Sequence, residues 1–519
     1  MGTNTQNASQ DMTANSDLIA SLVQKEFDKL PAKRKPVIRD NGLREWVPLS
    51  GIVAEEKTGR LTCLSLATGM KCIPSSKLPR AQGNVLHDWH AEVLAIRAFN
   101  CFVLDECRAV ASGSKGSSEF IRRRSSAEVT TTSESVNSHY DGVKWHGQPF
   151  TWREDVLLHM YCSEAPCGDA SMELTMASQE DATPWTIPPQ GSPSHSSPIT
   201  PHPPSPGPDE LLLGRGYFSH LGIVRRKPSR GDAPPTLSKS CSDKLSLHQC
   251  TSLLSSPTSL LVSPEHAYIS TLILPRTQYS ASGCRRAFSD GQDCWDGNGA
   301  REEAGLHQEA RMAPLVTQSK DWTGGYKFRP FTIKTTDVEF SFSRRTALSS
   351  SSSCTSSIIN TNTKADKNIS LPTASGIRIT PSNLSAARTA SGREETTLNG
   401  VLQGHKASSA HLRGASFASR RRIWGLAVQV ADLPAKEHQK AGEGEDDGVR
   451  REAKRIQEAL GVTCPPTEQQ NKTYRDLKDN NPLLEPRRRT KQAARSTALK
   501  GWVRNTGDED FVLWDIPSS

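Results

Sequence analysis

The sequence predicts an α/β protein whose folded part is broken by polar insertions. Three observations predict it. Runs of strand character at residues 46–54, 61–67 and 155–161 alternate with an unbroken apolar helical pattern over 89–107. The C-terminal stretches 450–460 and 474–503 read as basic helices. Between these lie segments dominated by Ser, Thr, Pro or charge, which hold too little apolar surface to pack a core.

Residues 1–15 are polar and read as a disordered lead-in. Leu18, Ile19, Leu22, Val23 and Phe27 then recur at helical spacing, so a first amphipathic helix is expected over 16–27. The strands at 46–54 and 61–67 are separated by a turn near Gly59, and a second turn follows near Gly69. In 89–107 the residues Val93, Leu94, Ile96, Phe99, Phe102 and Val103 give an apolar face broad enough for a buried helix. The strand at 155–161 runs into Pro166-Cys-Gly168, after which a helix could start. Apolar runs follow at 258–263 and 267–274. Insertions are expected at about 110–138, 178–210, 346–395 and 434–452, within one folded unit spanning 16–515.

The length of 519 residues would suit two or three domains, but the insertions reduce this to one large unit. The net charge of +8 fits an acidic partner such as nucleic acid, although over this length the signal is weak. Residues 1–17 contain no apolar signal core, and no run of about 18 apolar residues occurs, so neither secretion nor a membrane span is expected. The 12 cysteines are irregularly spaced, which suits reduced thiols and a metal site rather than a disulfide framework. The expected compartment is the cytoplasm or nucleus.

The chemistry concentrates in Asp88-Trp-His-Ala-Glu92. His90 and Glu92 open the buried helix together, so both can reach one cavity. Catalytic zinc takes about three protein ligands and keeps a position for water. A hydrolytic deaminase also needs a carboxylate near that water which does not bind the metal, and Glu92 suits this role. Cys167 falls at a strand-to-helix junction, where a thiolate is stabilised. The usual deaminase pattern Pro-Cys-x-x-Cys has Ala170 at its second position here. A third ligand must come from elsewhere: Cys241, in Ser240-Cys-Ser-Asp-Lys244, or Cys162, five residues before Cys167. A lone His-x-Glu pair is common by chance and a lone buried Cys is usually an inert hydrophobe. The conjunction is what carries the signal. Cysteines 63, 72, 101, 107, 250, 284, 294, 354 and 464 read as structural or incidental.

With Ala67-Thr-Gly-Met-Lys-Cys-Ile73, Pro166-Cys-Gly-Asp-Ala170, Ser240-Cys-Ser-Asp-Lys244 and Pro264 to Leu274, these residues resemble the deaminase domain shared by tRNA-specific adenosine deaminases and the adenosine deaminases acting on RNA. The resemblance runs from about residue 16 to 515 apart from the insertions. It implies a cytidine-deaminase-like mixed sheet with helices on both faces, enlarged by a mainly helical C-terminal part. It implies Zn2+ held by His90, Cys167 and Cys241, and Glu92 as proton shuttle. Water activated by the metal would attack C6 of adenine and inosine would result. Only about 15 residues precede the first expected helix, too few for a double-stranded-RNA-binding domain, so the chain looks more like the tRNA branch. That branch implies adenosine 37 of alanine tRNA as target. The long insertions fit a fungal-type member.

The resemblance also implies a buried inositol hexakisphosphate, which needs a nest of cations. By position Arg97, Lys244, Tyr474, Lys478 and Trp502 match its contacts. Ile96, Leu247 and His248 stand where the family often has Arg, Arg and Trp, and Arg487 or Arg488 replaces a Lys. Read without the family, Tyr474 and Lys478 are an ordinary solvated helix face. The clusters Arg420-Arg-Arg422 and Arg487-Arg-Arg489 are open to three readings: nuclear-localisation signal, RNA-backbone contact or plain surface. The alternatives to a tRNA adenosine deaminase are a deaminase of cytidine or another RNA, which the pocket would decide, and a catalytically dead RNA-binding protein, which the retention of Glu92 disfavours. No membrane and no obligate protein partner is expected.

Overall fold

A computed structural model describes residues 4–40, 42–115, 117–130, 144–178, 220–227, 234–292, 310–352, 379–407, 411–438, 447–462 and 472–513. Its centre is an eight-stranded mixed sheet. In chain order the strands are β1 (Leu49–Glu56), β2 (Leu61–Thr68), β3 (Val156–Cys162), β4 (Ile269–Pro275), β5 (Thr332–Thr336), β6 (Leu384–Thr389), β7 (Glu394–Leu398) and β8 (Val401–Leu402). Across the sheet they run β8-β7-β6-β2-β1-β3-β4-β5. Strands β3, β4 and β5 are mutually parallel and every other pairing is antiparallel.

Period-two alternation sends side chains to both faces. Leu49, Val53, Tyr161 and Ile273 face helix α1 (Asn4–Asp28), packing against Ile19, Val23 and Phe27. Ile52, Met160, Leu272 and Leu274 face the opposite side, where Phe99, Phe102 and Val103 of α2 (Ala91–Ala111) form the main core. The expected α/β architecture with helices on both faces is therefore observed. Helix α1 lies so close to the sheet that a Cβ on Gly51 would stand 2.6 Å from Val23. On the α2 side follow α3 (Cys241–Thr251) and α4 (Ala281–Phe288), and then the C-terminal helices α5 (Arg420–His438), α6 (Asp447–Leu460) and α7 (Glu485–Ser496).

Several expectations need correction. Helix α1 starts at Asn4 rather than in the sixteens, because its polar lead-in holds Gln, Ala and Met and no Gly or Pro. The expected insertion at 110–138 contains a strand, Ile121–Arg123, and a short helix, Ser126–Thr130. Phe120 and Ile121 are buried there, and Arg122 is held by Glu128 and Glu154. The expected insertion at 346–395 ends in Ile379–Pro381, β6 and the start of β7. Their small Ala and Thr residues read as low complexity but are mostly buried. Within 434–452, helix α5 runs on to His438 and α6 starts at Asp447. Glu452 is buried beneath Trp145, whose Nε1 donates to it at 2.7 Å. The expected continuous helix over 474–503 is broken at Asn481-Pro482, where proline removes a donor and forces its predecessor out of helical geometry. Residues 116, 131–138, 179–210, 353–378 and 439–446, with Cys294, Cys354 and Cys464, lie outside the described residues.

Candidate active site

The site forms beyond the C-terminal end of β3, where the sheet changes from antiparallel to parallel. Open sheets bind ligands at such a crevice. Two helix N-termini meet there. His90 is the N-cap of α2 and Glu92 lies in its first turn. Ser240 is the N-cap of α3: its Oγ accepts from Asp243 N at 3.1 Å and donates to the Asp243 carboxylate at 2.6 Å. Cys241 thus occupies the first helical position with a free N–H, which donates to Cys167 Sγ at 3.3 Å.

Cys167 sits in the turn after β3. Ser242 ties that turn down: its N–H donates to Cys167 O at 3.0 Å and its Oγ to Pro166 O at 3.0 Å. Gly168 has φ of +109°, and a Cβ there would lie 2.3 Å from Ser240 Oγ, so the turn demands glycine. Asp169 is fully buried against Arg286 (3.0 Å) and Asp243 against Arg311 (2.7 Å). These two ion pairs anchor the segments that carry the cysteines.

Asp88 organises the other side. Its Oδ1 accepts from His90 N at 3.0 Å and lies 2.9 Å from His90 Nδ1. Its Oδ2 meets Ser238 Oγ at 2.5 Å, Lys227 Nζ at 2.9 Å and the Lys244 ammonium. Lys227 Nζ also lies 3.2 Å from Cys241 Sγ. Burial opposes the Asp88 charge, yet Lys227 and Lys244 hold the carboxyl well below its usual range. Burial likewise opposes a charge on Lys227, but Asp88 and the two cysteines keep it protonated. Of the two facing thiols, Cys167 loses its proton first, because Cys241 donates a hydrogen bond to it and Lys227 and His90 stand near. Cys241 is pushed up by burial and by its neighbour. Glu92 is 6% exposed, and burial together with Cys167 raises its pKa.

The structure therefore gathers the four expected residues, His90, Glu92, Cys167 and Cys241. The other candidate ligand, Cys162, lies in the apolar core at the end of β3, its thiol pushed well up by burial. One imidazole and two thiols are a donor set that suits Zn2+ with a position left for water. Among the described residues the close group of possible metal ligands is Cys72, Asp88 and His90, whose ligand atoms lie within 4.8 Å of one another. Asp88 is already saturated by two lysines and Ser238, which suits it to orienting His90 rather than binding metal. Sequence reasoning missed Lys227, Asp88 and Cys72 as site residues. Cys72, taken as incidental, stands 3.7 Å from His90 Nδ1. The strand-like pairing of 71–73 with 87–89 brings it there; the Ala67–Ile73 motif contains it but assigns it no role.

A second feature is a basic cavity of about 650 Å3 lined by Lys239, Lys244, Lys478, Lys491, Arg495 and Trp502, with Arg487 and Arg504. Of the expected contacts, Lys244, Lys478 and Trp502 line it. Arg97 lines a smaller neighbouring cavity of about 160 Å3 shared with Glu92, and its Nε donates to Ala418 O at 2.6 Å. Tyr474 is instead stacked on Phe511 at 5.1 Å beneath Arg420. The basic triplets serve the fold: Arg421 is buried over Phe511 and bonded to Gln82 O, and Arg487 donates to Thr251 O and Leu254 O.

The adenosine-deaminase (editase) domain model matches residues 65–293. tRNA-specific adenosine deaminase 1 of Schizosaccharomyces pombe is 36% identical over 330 residues, which is 63% of this chain and 70% of the relative. The protein of the same name from Saccharomyces cerevisiae is 34% identical over 241 residues, 46% of this chain and 52% of the relative. Double-stranded RNA-specific editase B2 of Rattus norvegicus is 28% identical over 159 residues, 30% of this chain and 18% of the relative. Fold, site and these likenesses define a hydrolase of the adenosine-deaminase (editase) class. Within that class the chain belongs to the tRNA-specific adenosine deaminase 1 family.

Proposed function

We propose that this protein deaminates adenosine to inosine in tRNA, at position 37 of alanine tRNA, with Zn2+ held by His90, Cys167 and Cys241. The observation that carries the reading is the Cys241 N–H donating to Cys167 Sγ at 3.3 Å, which brings the two cysteine positions together beside a capping His90 and a buried Glu92. Zinc would supply Lewis acidity that brings the pKa of a water towards neutrality. Asp88 fixes the ring of His90, and Lys227 offsets the negative charge of the thiolates. Glu92, with its raised pKa, takes a proton from the attacking water, delivers it to the adenine ring nitrogen and then protonates the leaving amine. Adenosine and water become inosine and ammonia. The basic cavity supports inositol hexakisphosphate as a second bound group, with Lys244, Lys478 and Trp502 among its contacts. We assign the activity to the cytoplasm or nucleus. Among the described residues no helix is long and apolar enough to cross a membrane.

The test is incubation of zinc-loaded protein with in vitro transcribed alanine tRNA, read for inosine at position 37. Absence of conversion overturns the proposal. Conversion of cytidine, or of another RNA instead, replaces it with the broader deaminase reading.

A further inference from the structure

Close to the chain's end, a buried carboxylate reaches back across the molecule to the loop that delivers His90. Asp508 is nearly inaccessible, and both its oxygens are used: Oδ1 accepts from Gly83 N at 2.8 Å and Oδ2 lies 2.6 Å from His87 Nε2. Asn505 Nδ2 lies 3.2 Å from His87 Nδ1. The amide donates there, so the ring carries its proton on Nε2 and donates it to Asp508. The main chain of His87 accepts from Ile73 N at 2.9 Å, bracing the segment that holds Cys72. The next residue is Asp88, which sets the ring of His90. Gln82 and Gly83, at the start of this loop, have φ of +51° and +66°, and Phe511 fills the space beside Gly83. Arg421 N donates to Gly83 O at 3.0 Å and Arg420 Nη1 to Asp508 O at 2.8 Å, so loop, C-terminal segment and α5 lock together.

We propose that Asp508 is a positioning residue for the active site: by clamping Gly83 and His87 it sets the loop that presents Asp88 and His90. This rests on the deaminase reading of that site. Asp508 lies outside the matched domain at 65–293, so the C-terminal segment contributes to the active site from beyond it.

The test uses zinc-loaded full-length protein carrying Asp508→Ala, Asp508→Asn, His87→Leu or His87→Gln. Asp508→Ala is expected to lower kcat about 10- to 100-fold, the loss typical when support for a metal ligand is removed, with KM for tRNA unchanged. Asp508→Asn keeps an acceptor for Gly83 N. Its amide can donate to the other tautomer of His87 while the unpartnered Oδ1 of Asn505 turns to meet Nδ1–H, so kcat should largely recover. His87→Gln keeps a donor to Asp508 and should exceed His87→Leu in kcat. If Asp508→Ala does not fold, the His87 pair decides. Equal kcat in the alanine or leucine variant and its conservative counterpart overturns the proposal, as does a rise in KM alone. Amide hydrogen exchange across residues 81–90 needs no substrate, so it judges the clamp even if wild type converts no tRNA. Faster exchange confined to that loop in Asp508→Ala supports the clamp, and unchanged exchange sinks it.

Discussion

The Lys227 ammonium lies 3.2 Å from Cys241 Sγ and 2.9 Å from Asp88 Oδ2, so one buried cation serves a candidate metal ligand and the carboxylate that orients another. Removing one partner of a buried ion pair strands the other, at about 3 to 5 kcal/mol. Asp88 retains Lys244, so Lys227→Met should fall at the lower end, about 3 kcal/mol in urea unfolding. Zinc affinity should fall with it. A stability equal to wild type would show that Lys244 alone satisfies Asp88.

Glu92 is buried with no ion-pair partner among the described residues. Glu92→Gln keeps its shape and removes its proton chemistry, so folding and zinc content should hold while kcat falls by about 10^2- to 10^4-fold, the usual contribution of general acid–base catalysis. Zinc content and rate measured on the same preparation separate this from ligand loss. A variant with full activity would remove Glu92 from the proton path.

Gly168→Ala should injure the metal site more than the fold. The added Cβ meets Ser240 Oγ at 2.3 Å in a backbone conformation that disfavours L-residues. Relief requires separating the Cys167 turn from the start of α3, which carries Cys241. Zinc content should fall well below one per chain while far-UV circular dichroism stays near wild type. Full zinc content would show that the turn can give way elsewhere.

What was legible in the sequence was whatever sits in short local patterns. The apolar stripe of α2 and the strands flanking Gly59 each announce themselves within a few residues. The missing second cysteine at Ala170 left Cys241 and Cys162 as alternatives, and only the family resemblance pointed to Cys241. Lys227 and Asp508 were not legible, because their roles exist only once strands and loops far apart in sequence are stacked together. Strands β6 and β7 were misread because Ala and Thr carry little apolar signal, and their burial comes from pairing beside β2. The basic triplets misled in the opposite sense. Arg421 and Arg487 looked like surface charge, and the fold buries both against aromatic rings and carbonyls.

His146 gives a pH dependence of defined sign. Burial, helped by Arg124, lowers its pKa to about 4, and it stays neutral opposite Ser263 Oγ at 2.8 Å. The unfolded chain takes up this proton near pH 6.5. Its stabilising contribution is therefore complete above about pH 6.5 and is lost as pH falls towards 4. Between pH 7.5 and 5 the stability advantage of wild type over His146→Gln should shrink by about 2 kcal/mol. Urea unfolding at the two pH values checks it, and a constant difference would show that folding does not lower the pKa of the ring.

The basic cavity should bind polyanions with uptake of protons. Burial and neighbouring cations lower Lys239 to about 7 and Lys478 to about 8, and burial with Arg487 beside it holds Lys491 well below the usual lysine range. A phosphate-rich ligand stabilises the charged form of each, raising these pKa values on binding. Protons are then taken up with the ligand, so affinity rises as pH falls from about 9 to about 7. A site whose lysines are already charged would take up no protons at them on binding. Titration calorimetry with inositol hexakisphosphate at pH 8, repeated in buffers of different ionisation enthalpy, measures the uptake directly. Lys491→Met should reduce both the uptake and the affinity, and an apparent enthalpy independent of buffer would show that the cavity lysines are charged before any anion arrives.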